Sequence, residues 1–336
     1  MKLRLLAVLI VVAVAGACTS GAAASAPRGQ GSSDAAAQTV AMTGLPSFFV
    51  AVTSSGTLSV FRSSGGRLVR RLVPAADAPR LLAVSSSGAW VYYEDTRGLV
   101  APAGCPRWDV GYGLMRRIRI TGGRSYSTRL AVGDLAFSPD GRVETYVTRN
   151  RCGTALLLHT LNNATGRRRT ILDVRNYISG NNPLYDSPLT LSPNDRDAGV
   201  EFASSATDES VAIVNLWHAK VAANGANPLG CGLIMVTCLD PSYSDTGALR
   251  LIREVAHPNG YSFDAAEIDQ GHRTDLYHFR ANTLAPTFVA FAPSGNAFLW
   301  SDTPTGPKQV ARTYLWSEDH VRLLRAAPSL ETVVWS

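Results

Sequence analysis

Lysine is nearly missing from this chain of 336 residues. It occurs only at positions 2, 220 and 308, although lysine and arginine together number 32. Catalytic punctuation is missing too. There is no Gly-x-Ser-x-Gly, no His-Glu-x-x-His, no phosphate loop and no calcium loop of alternating aspartates. Nucleophile-elbow, zincin, nucleotide-loop and EF-hand chemistries are therefore not expected, and no catalytic residues or cofactor are assigned. No Cys-x-x-Cys or paired-histidine spacing points to a metal. The six histidines, at 159, 218, 257, 272, 278 and 320, are scattered; His272 and His278, flanking Asp275, are the closest group. Only the N-terminus has a long apolar run. Elsewhere apolar segments are short, rich in Val, Leu, Thr and aromatics, and bounded by Gly, Asn, Asp and Pro, which reads as strands and almost no helix.

What is present begins with a repeated turn. Ser138-Pro139-Asp140-Gly141, Ser192-Pro193-Asn194-Asp195 and Ala292-Pro293-Ser294-Gly295 each follow a short apolar run, and Ser85-Ser86-Ser87-Gly88 is a looser copy. Their last residues, at 88, 141, 195 and 295, are separated by 53, 54 and 100, the last being about two repeats. A period near fifty residues with strand-turn-strand punctuation marks a propeller or another repeat architecture. Pro139 presets φ, Asp140 suits the third turn position and Gly141 can leave with positive φ.

The third repeat is the clearest. Strands are expected at 135–138, 143–148, 155–161 and 168–174, with a turn at Asn162 to Gly166; four antiparallel strands make one blade. Asn163-Ala164-Thr165 matches a glycosylation sequon but reads here as turn chemistry. The second blade spans Leu81 to about Leu130, and the fourth starts at Leu189, with strands at 199–202 and 211–217. A degenerate fifth is centred on Ser244-Asp245-Thr246-Gly247, with strands at 233–239 and 249–255. The sixth uses 288–292, 297–301, 309–315 and 321–324. Residues 48–52, 57–61 and 68–73 supply only three strands, and 330–335 is one strand without a partner. Placing that last strand innermost in the first blade closes the ring and removes exposed edges. The fold expected is all-β: a six-bladed β-propeller closed by a C-terminal strand, after a signal peptide and flexible tether.

These turn motifs, with the Gly166-centred hairpin, resemble those of TolB-like and WD40-like β-propellers over residues 45–336. The Gly-His and Trp-Asp pairs of true WD40 blades are missing, which favours the looser bacterial kind. The resemblance carries fold and not function.

The N-terminus gives an address. Lys2 and Arg4 precede an apolar run from Leu5 to Val14, which Ala15-Gly16-Ala17-Cys18 ends. This reads as a secretory signal. It resembles a bacterial lipobox, which implies acylation of the Cys18 sulfur and cleavage before it. Residues 1–17 are then the signal peptide, 18–44 the lipidated cysteine with an Ala/Ser/Gly tether, and 45–336 the propeller. The tether's r.m.s. reach is roughly 25–30 Å. Residence on the extracytoplasmic side of the cell membrane and a monomeric state are expected.

Net charge is +6, or +4 once Lys2 and Arg4 leave with the signal. Arginines cluster at 70–71, 116–119 and 167–169. They can attract anionic lipid or acidic wall polymer; they can equally protect strand edges. No basic platform with interleaved aromatics argues for nucleic acid.

Cys105 falls in a long loop of blade two, 95–113, and Cys152 in the equivalent loop of blade three, so this pair could bridge. Cys231 lies just before, and Cys238 within, an expected strand at 233–239. Their Cα atoms would then lie roughly 20 Å apart, where a disulfide needs less than about 7 Å, so they are left unbridged. Long segments at 95–113, 175–186 and 218–230 are assigned to one rim, with Arg107, Trp108, Tyr112, Tyr177 and Tyr185 as candidate binding residues. The leading function is a membrane-anchored binding or scaffold module for an envelope polymer, ligand or protein. A propeller hydrolase or lyase of envelope glycans and a sensor subunit of an envelope complex are the alternatives.

Overall fold

The computed structural model describes residues 45–97, 103–104, 113–149, 156–173, 189–205, 208–224, 236–258, 260–279, 286, 289–294, 296–302, 311–317 and 320–336. Six four-stranded antiparallel sheets form the blades. The first holds β1 (Phe48–Thr53), β2 (Leu58–Arg62) and β3 (Leu68–Val73). The second is β4 (Pro79–Val84), β5 (Trp90–Asp95), β6 (Leu114–Arg119) and β7 (Tyr126–Ala131). The third is β8 (Asp134–Phe137), β9 (Val143–Arg149), β10 (Leu156–Asn162) and β11 (Arg168–Asp173). The fourth is β12 (Leu189–Leu191), β13 (Asp197–Ser205), β14 (Asp208–Asn215) and β15 (Lys220–Asn224). The fifth is β16 (Val236–Tyr243), β17 (Leu249–His257), β18 (Gly260–Asp269) and β19 (His272–His278). The sixth is β20 (Val289–Phe291), β21 (Ala297–Ser301), β22 (Thr313–Ser317) and β23 (His320–Leu323). The last strand, β24 (Leu330–Trp335), completes the first sheet in the order β24-β1-β2-β3.

The closing strand pairs as the strand count requires. Phe49 faces Trp335, Val50 faces Val334 and Ala51 faces Val333. The first strands of successive blades touch one another round the ring, from β24 through β4, β8, β12, β16 and β20 back to β24. Between neighbouring blades lie six apolar clusters, one at each interface. The sixth-to-first interface is built from Phe49, Phe61, Leu299, Leu315, Leu330 and Trp335. Apolar residues face both sides of the blades because each sheet is sandwiched between two others. Burial on both faces is what the short continuous apolar runs encode.

Four turns between first and second strands share one device. The serine at 85, 138, 192 or 244 bonds the side chain two residues on, at 3.2, 2.7, 2.8 and 2.8 Å. Its oxygen also accepts the N–H of Trp90, Val143, Asp197 or Ala248 as the chain re-enters the sheet. The turn is thus specified locally. Gly141 has φ 70°, as its position demands; Asp195 occupies the same position with φ 58°, a left-handed conformation that Asp and Asn tolerate. Blade six has Ala292 where the others have serine.

Blade five departs most from expectation. Its inner strand does not stop at Leu239. Asp240 takes φ 51° and the register shifts between Leu239 and Ser242, after which Ser242 pairs with Arg250 and Tyr243 with Leu249. Asp-Pro reads as a terminator, but here it makes a bulge inside the strand. The blade whose turn motif is weakest has long strands, with β18 spanning 10 residues.

Segment 218–230 is also corrected. Residues 216–219 form the hairpin turn between β14 and β15, and β15 then runs to Asn224, so this stretch is not one loop. In blade six the third strand is Thr313–Ser317 rather than 309–315.

Candidate functional site

In a four-stranded meander the chain reverses alternately at two ends. The turns after first and third strands therefore share one rim, here the turn rim. Second-to-third-strand connections and blade-to-blade connections share the other, the loop rim. Segments 96–113 and 174–188 depart from and return to strand ends on the loop rim. Arg107, Trp108, Tyr112, Tyr177, Tyr185, Cys105 and Cys152 lie outside the described residues, as does Cys18.

The frame that holds the 96–113 segment is well defined. Glu94, 2% exposed in its side chain, accepts from Arg80 Nε at 2.5 Å and from the backbone N–H of Gly113. Arg80 Nη2 reaches across to the carbonyl of Gly133 in blade three, at 2.5 Å. Asp95 binds Arg97 at 2.7 Å and Arg116 at 2.9 Å, and Arg97 also binds Asp77 at 2.7 Å. The hydrogen bond from Arg97 holds the Asp95 carboxyl below its usual pKa. A side chain at Gly113 would run into the carbonyl of Asp95, so only glycine fits. Both ends of the segment are thereby tied to the end of β5.

A second cluster lies on the blade-four side of blade five. Arg253 is 8% exposed, its Nη1 is 4.0 Å from Asp264, and burial lowers its guanidinium pKa. Asp264 accepts from His278 Nδ1 at 2.7 Å, while His257 Nε2 meets Ser262 Oγ at 2.8 Å. His278 therefore belongs to Asp264, and Asp275 pairs with Arg273 at 3.0 Å. The sequence grouping of His272, Asp275 and His278 does not assemble. Among the described residues no histidine bonds both a hydroxyl and a carboxylate. His159 stacks on Tyr146 with ring centroids 5.0 Å apart, between Thr148 and Thr170, and burial lowers its pKa.

Cys238 is buried in β16 and is disulfide-bonded, which corrects the reading that left it unbridged. That reading rested on an extended strand over 233–239; β16 is described from Val236 on, and Cys231 lies outside the described residues.

A cavity of about 160 Å³ opens among four inner strands, lined by Thr190, Asp240, Pro241, Ala290, Val333 and Trp335 among others. Its polar groups serve the scaffold: Thr190 Oγ1 accepts from the Tyr243 N–H at 3.1 Å, and Trp335 Nε1 donates to the Ala290 carbonyl at 2.8 Å. Asp240 contributes the carboxylate, on the bulge described above. The signal available in sequence was Asp240-Pro241 inside an apolar run. Its place beside the axis was not legible, because it depends on four strands distant in sequence.

Asp195 on the turn rim is a carboxyl shifted upward. Burial raises the pKa of Asp195, and the neighbouring Asp140 raises it further. A carboxyl whose folded pKa lies above its unfolded value opposes folding once ionised. The penalty is complete above the folded pKa and vanishes below the unfolded value of about 3.9. Asp195→Asn is accordingly expected to stabilise the protein at neutral pH, by no more than about 1 kcal/mol in this partly solvated site. The gain should fade as pH falls through the carboxylate range. Denaturant midpoints of both proteins against pH check this; a pH-independent difference would contradict it.

No family model matches the chain, and no curated protein matches it. Solved structures do. TolB from Acinetobacter baumannii is similar at 13% identity and a TM-score of 0.57, over 87% of this chain and 68% of that one. A putative TolB from Agrobacterium tumefaciens is similar at 12% identity and a TM-score of 0.50, over 83% and 88%. The likeness is one of fold, the TolB-like six-bladed propeller. No helix among the described residues is long and apolar enough to cross a membrane.

Proposed function

We propose that the protein is a binding or scaffold module of the bacterial cell envelope. It is held at the outer face of the membrane through Cys18 and acts as a monomer, presenting its loop rim to an envelope protein or polymer. The observation that carries the reading is the unequal use of the two rims. The turn rim is made of short turns, four of them fixed by their own serines. The loop rim receives the connections 96–113, 174–188, 225–235 and 302–312, and the first of these is clamped at both ends by Glu94, Asp95 and Arg97. Long segments on a rigid frame are where recognition usually resides. Two of them carry Arg107, Trp108, Tyr112, Tyr177 and Tyr185, the residue types that dominate binding energy. In this reading Cys105–Cys152 ties neighbouring loops.

The test is capture from an envelope extract by the immobilised full-length protein. Trp108→Ala with Tyr177→Ala should abolish capture and leave the melting temperature nearly unchanged. A double variant that captures the same partner overturns the loop-rim assignment. Turnover of an envelope glycan by the protein would replace this reading with the hydrolase or lyase alternative.

A further inference from the structure

We infer that the turn rim of blades two to four docks on an anionic phospholipid surface. The orientation this gives the propeller rests on the lipid anchor proposed at Cys18.

Three observations converge. The first is where the chain joins the domain. Phe48 begins β1 on the turn rim, where its carbonyl accepts from Ser336 N at 3.3 Å and Oγ at 2.9 Å. Ser47 O accepts from the N–H of Ser63, the first residue of the β2–β3 turn, at 3.1 Å. The described chain therefore enters the propeller at this rim, which is where an anchor at Cys18 would be connected to the domain.

The second is charge. Arg119, Arg124, Arg167, Arg168, Arg196 and Lys220 are exposed at this end of blades two to four, and none forms an ion pair among the described residues. Carboxylates stand among them: Asp140 pairs with Arg142 at 3.3 Å, Asp197 accepts from Asn215 Nδ2 at 3.0 Å, and Glu144 and Asp195 are half-buried. On the loop rim, by contrast, Arg80, Arg97 and Arg116 are consumed in ion pairs. Blade five is different again, since its rim arginines at 250 and 273 pair with Glu267 and Asp275. Arg62 and Arg67 at the same end of blade one are also exposed without an ion pair among the described residues, so the run of unpaired cations continues into blade one and is broken at blade five.

The third observation separates a membrane from a dissolved polymer. Trp217 is 60% exposed on this rim with the Arg196 guanidinium 4.9 Å from its ring, and Tyr126 is 48% exposed against Trp90. Arg117 and Arg119 lie 4.8 and 5.1 Å from the Trp90 ring. Amphipathic rings beside arginines suit the headgroup layer, where the ring sits at the interface and the cation meets phosphate. A short tether keeps the rim at high effective concentration there, so weak contacts suffice.

The experiment uses full-length protein on vesicles of phosphatidylcholine alone or with phosphatidylglycerol, carrying a headgroup spin label. Trp217 quenching is read as the difference between the wild type and Trp217→Phe. Quenching is expected on phosphatidylglycerol and not on phosphatidylcholine. It should be lost near 1 M salt, where the Debye length is about 3 Å. It should also be lost in Arg167→Glu/Arg168→Glu/Arg196→Glu, with the thermal midpoint retained. Equal accessibility of Trp217 on both vesicles, with protein attached to both, overturns the rim and leaves the anchor standing. Quenching on phosphatidylglycerol that persists in Cys18→Ala, with neither protein attached to phosphatidylcholine, supports the rim and removes the anchor. No attachment to either vesicle overturns both. A rim that captures soluble polyphosphate yet leaves Trp217 unquenched replaces the membrane with a polymer.

Discussion

Trp335→Ala is expected to destabilise the propeller by about 3–5 kcal/mol, among the larger effects a single substitution can have. The indole is 6% exposed, meets Phe49 edge-on with centroids 6.2 Å apart, and donates its N–H to Ala290 O. It therefore joins the first blade to the sixth across the seam where the ring closes. The substitution removes apolar area, leaves a cavity in the sixth-to-first interface, and strands a buried carbonyl in one step. Deleting β24 altogether should cost more, since it exposes the edge of β1 and unseats Leu330. Denaturant unfolding of wild type, Trp335→Ala and a chain ending at Ser329 checks the order. A loss under about 1 kcal/mol for Trp335→Ala would mean that the seam carries little of the fold's stability.

Cys18→Ala is expected to move the protein from the membrane fraction to the medium, or to leave an uncleaved precursor. Acyl chains bring roughly 0.8 kcal/mol of membrane affinity per buried CH₂, whereas the Ala/Ser/Gly stretch that follows brings almost none. Even with the turn-rim arginines, attachment after loss of the acyl chains should be salt-sensitive where the wild type's is not. Fractionation with metabolic lipid labelling decides the matter. Unchanged salt-resistant retention, with no label on the wild type, would sink the anchor.

The sequence by itself determined the punctuation and the count. The Ser138, Ser192 and Ser244 turns were legible because their chemistry closes within five residues and needs no partner elsewhere. The β24–β1 closure was legible because three strands at one end and one at the other leave a single sensible pairing. Tertiary structure decided what depends on register and neighbours. Asp240-Pro241 looked like a strand end until pairing with β17 carried the chain through it as a bulge. His278 looked like a partner of Asp275, but cross-strand register sets it opposite Asp264. Arg80 and Glu94, 14 residues apart, meet only because β4 and β5 are paired. Arg119, Arg167 and Arg168, which in sequence had the look of edge guards, fall on one rim with Arg124 and Arg196 because every blade turns the same way. Local dihedral preference and hydroxyl capping are written residue by residue; which side chains share a face is set by the closed ring.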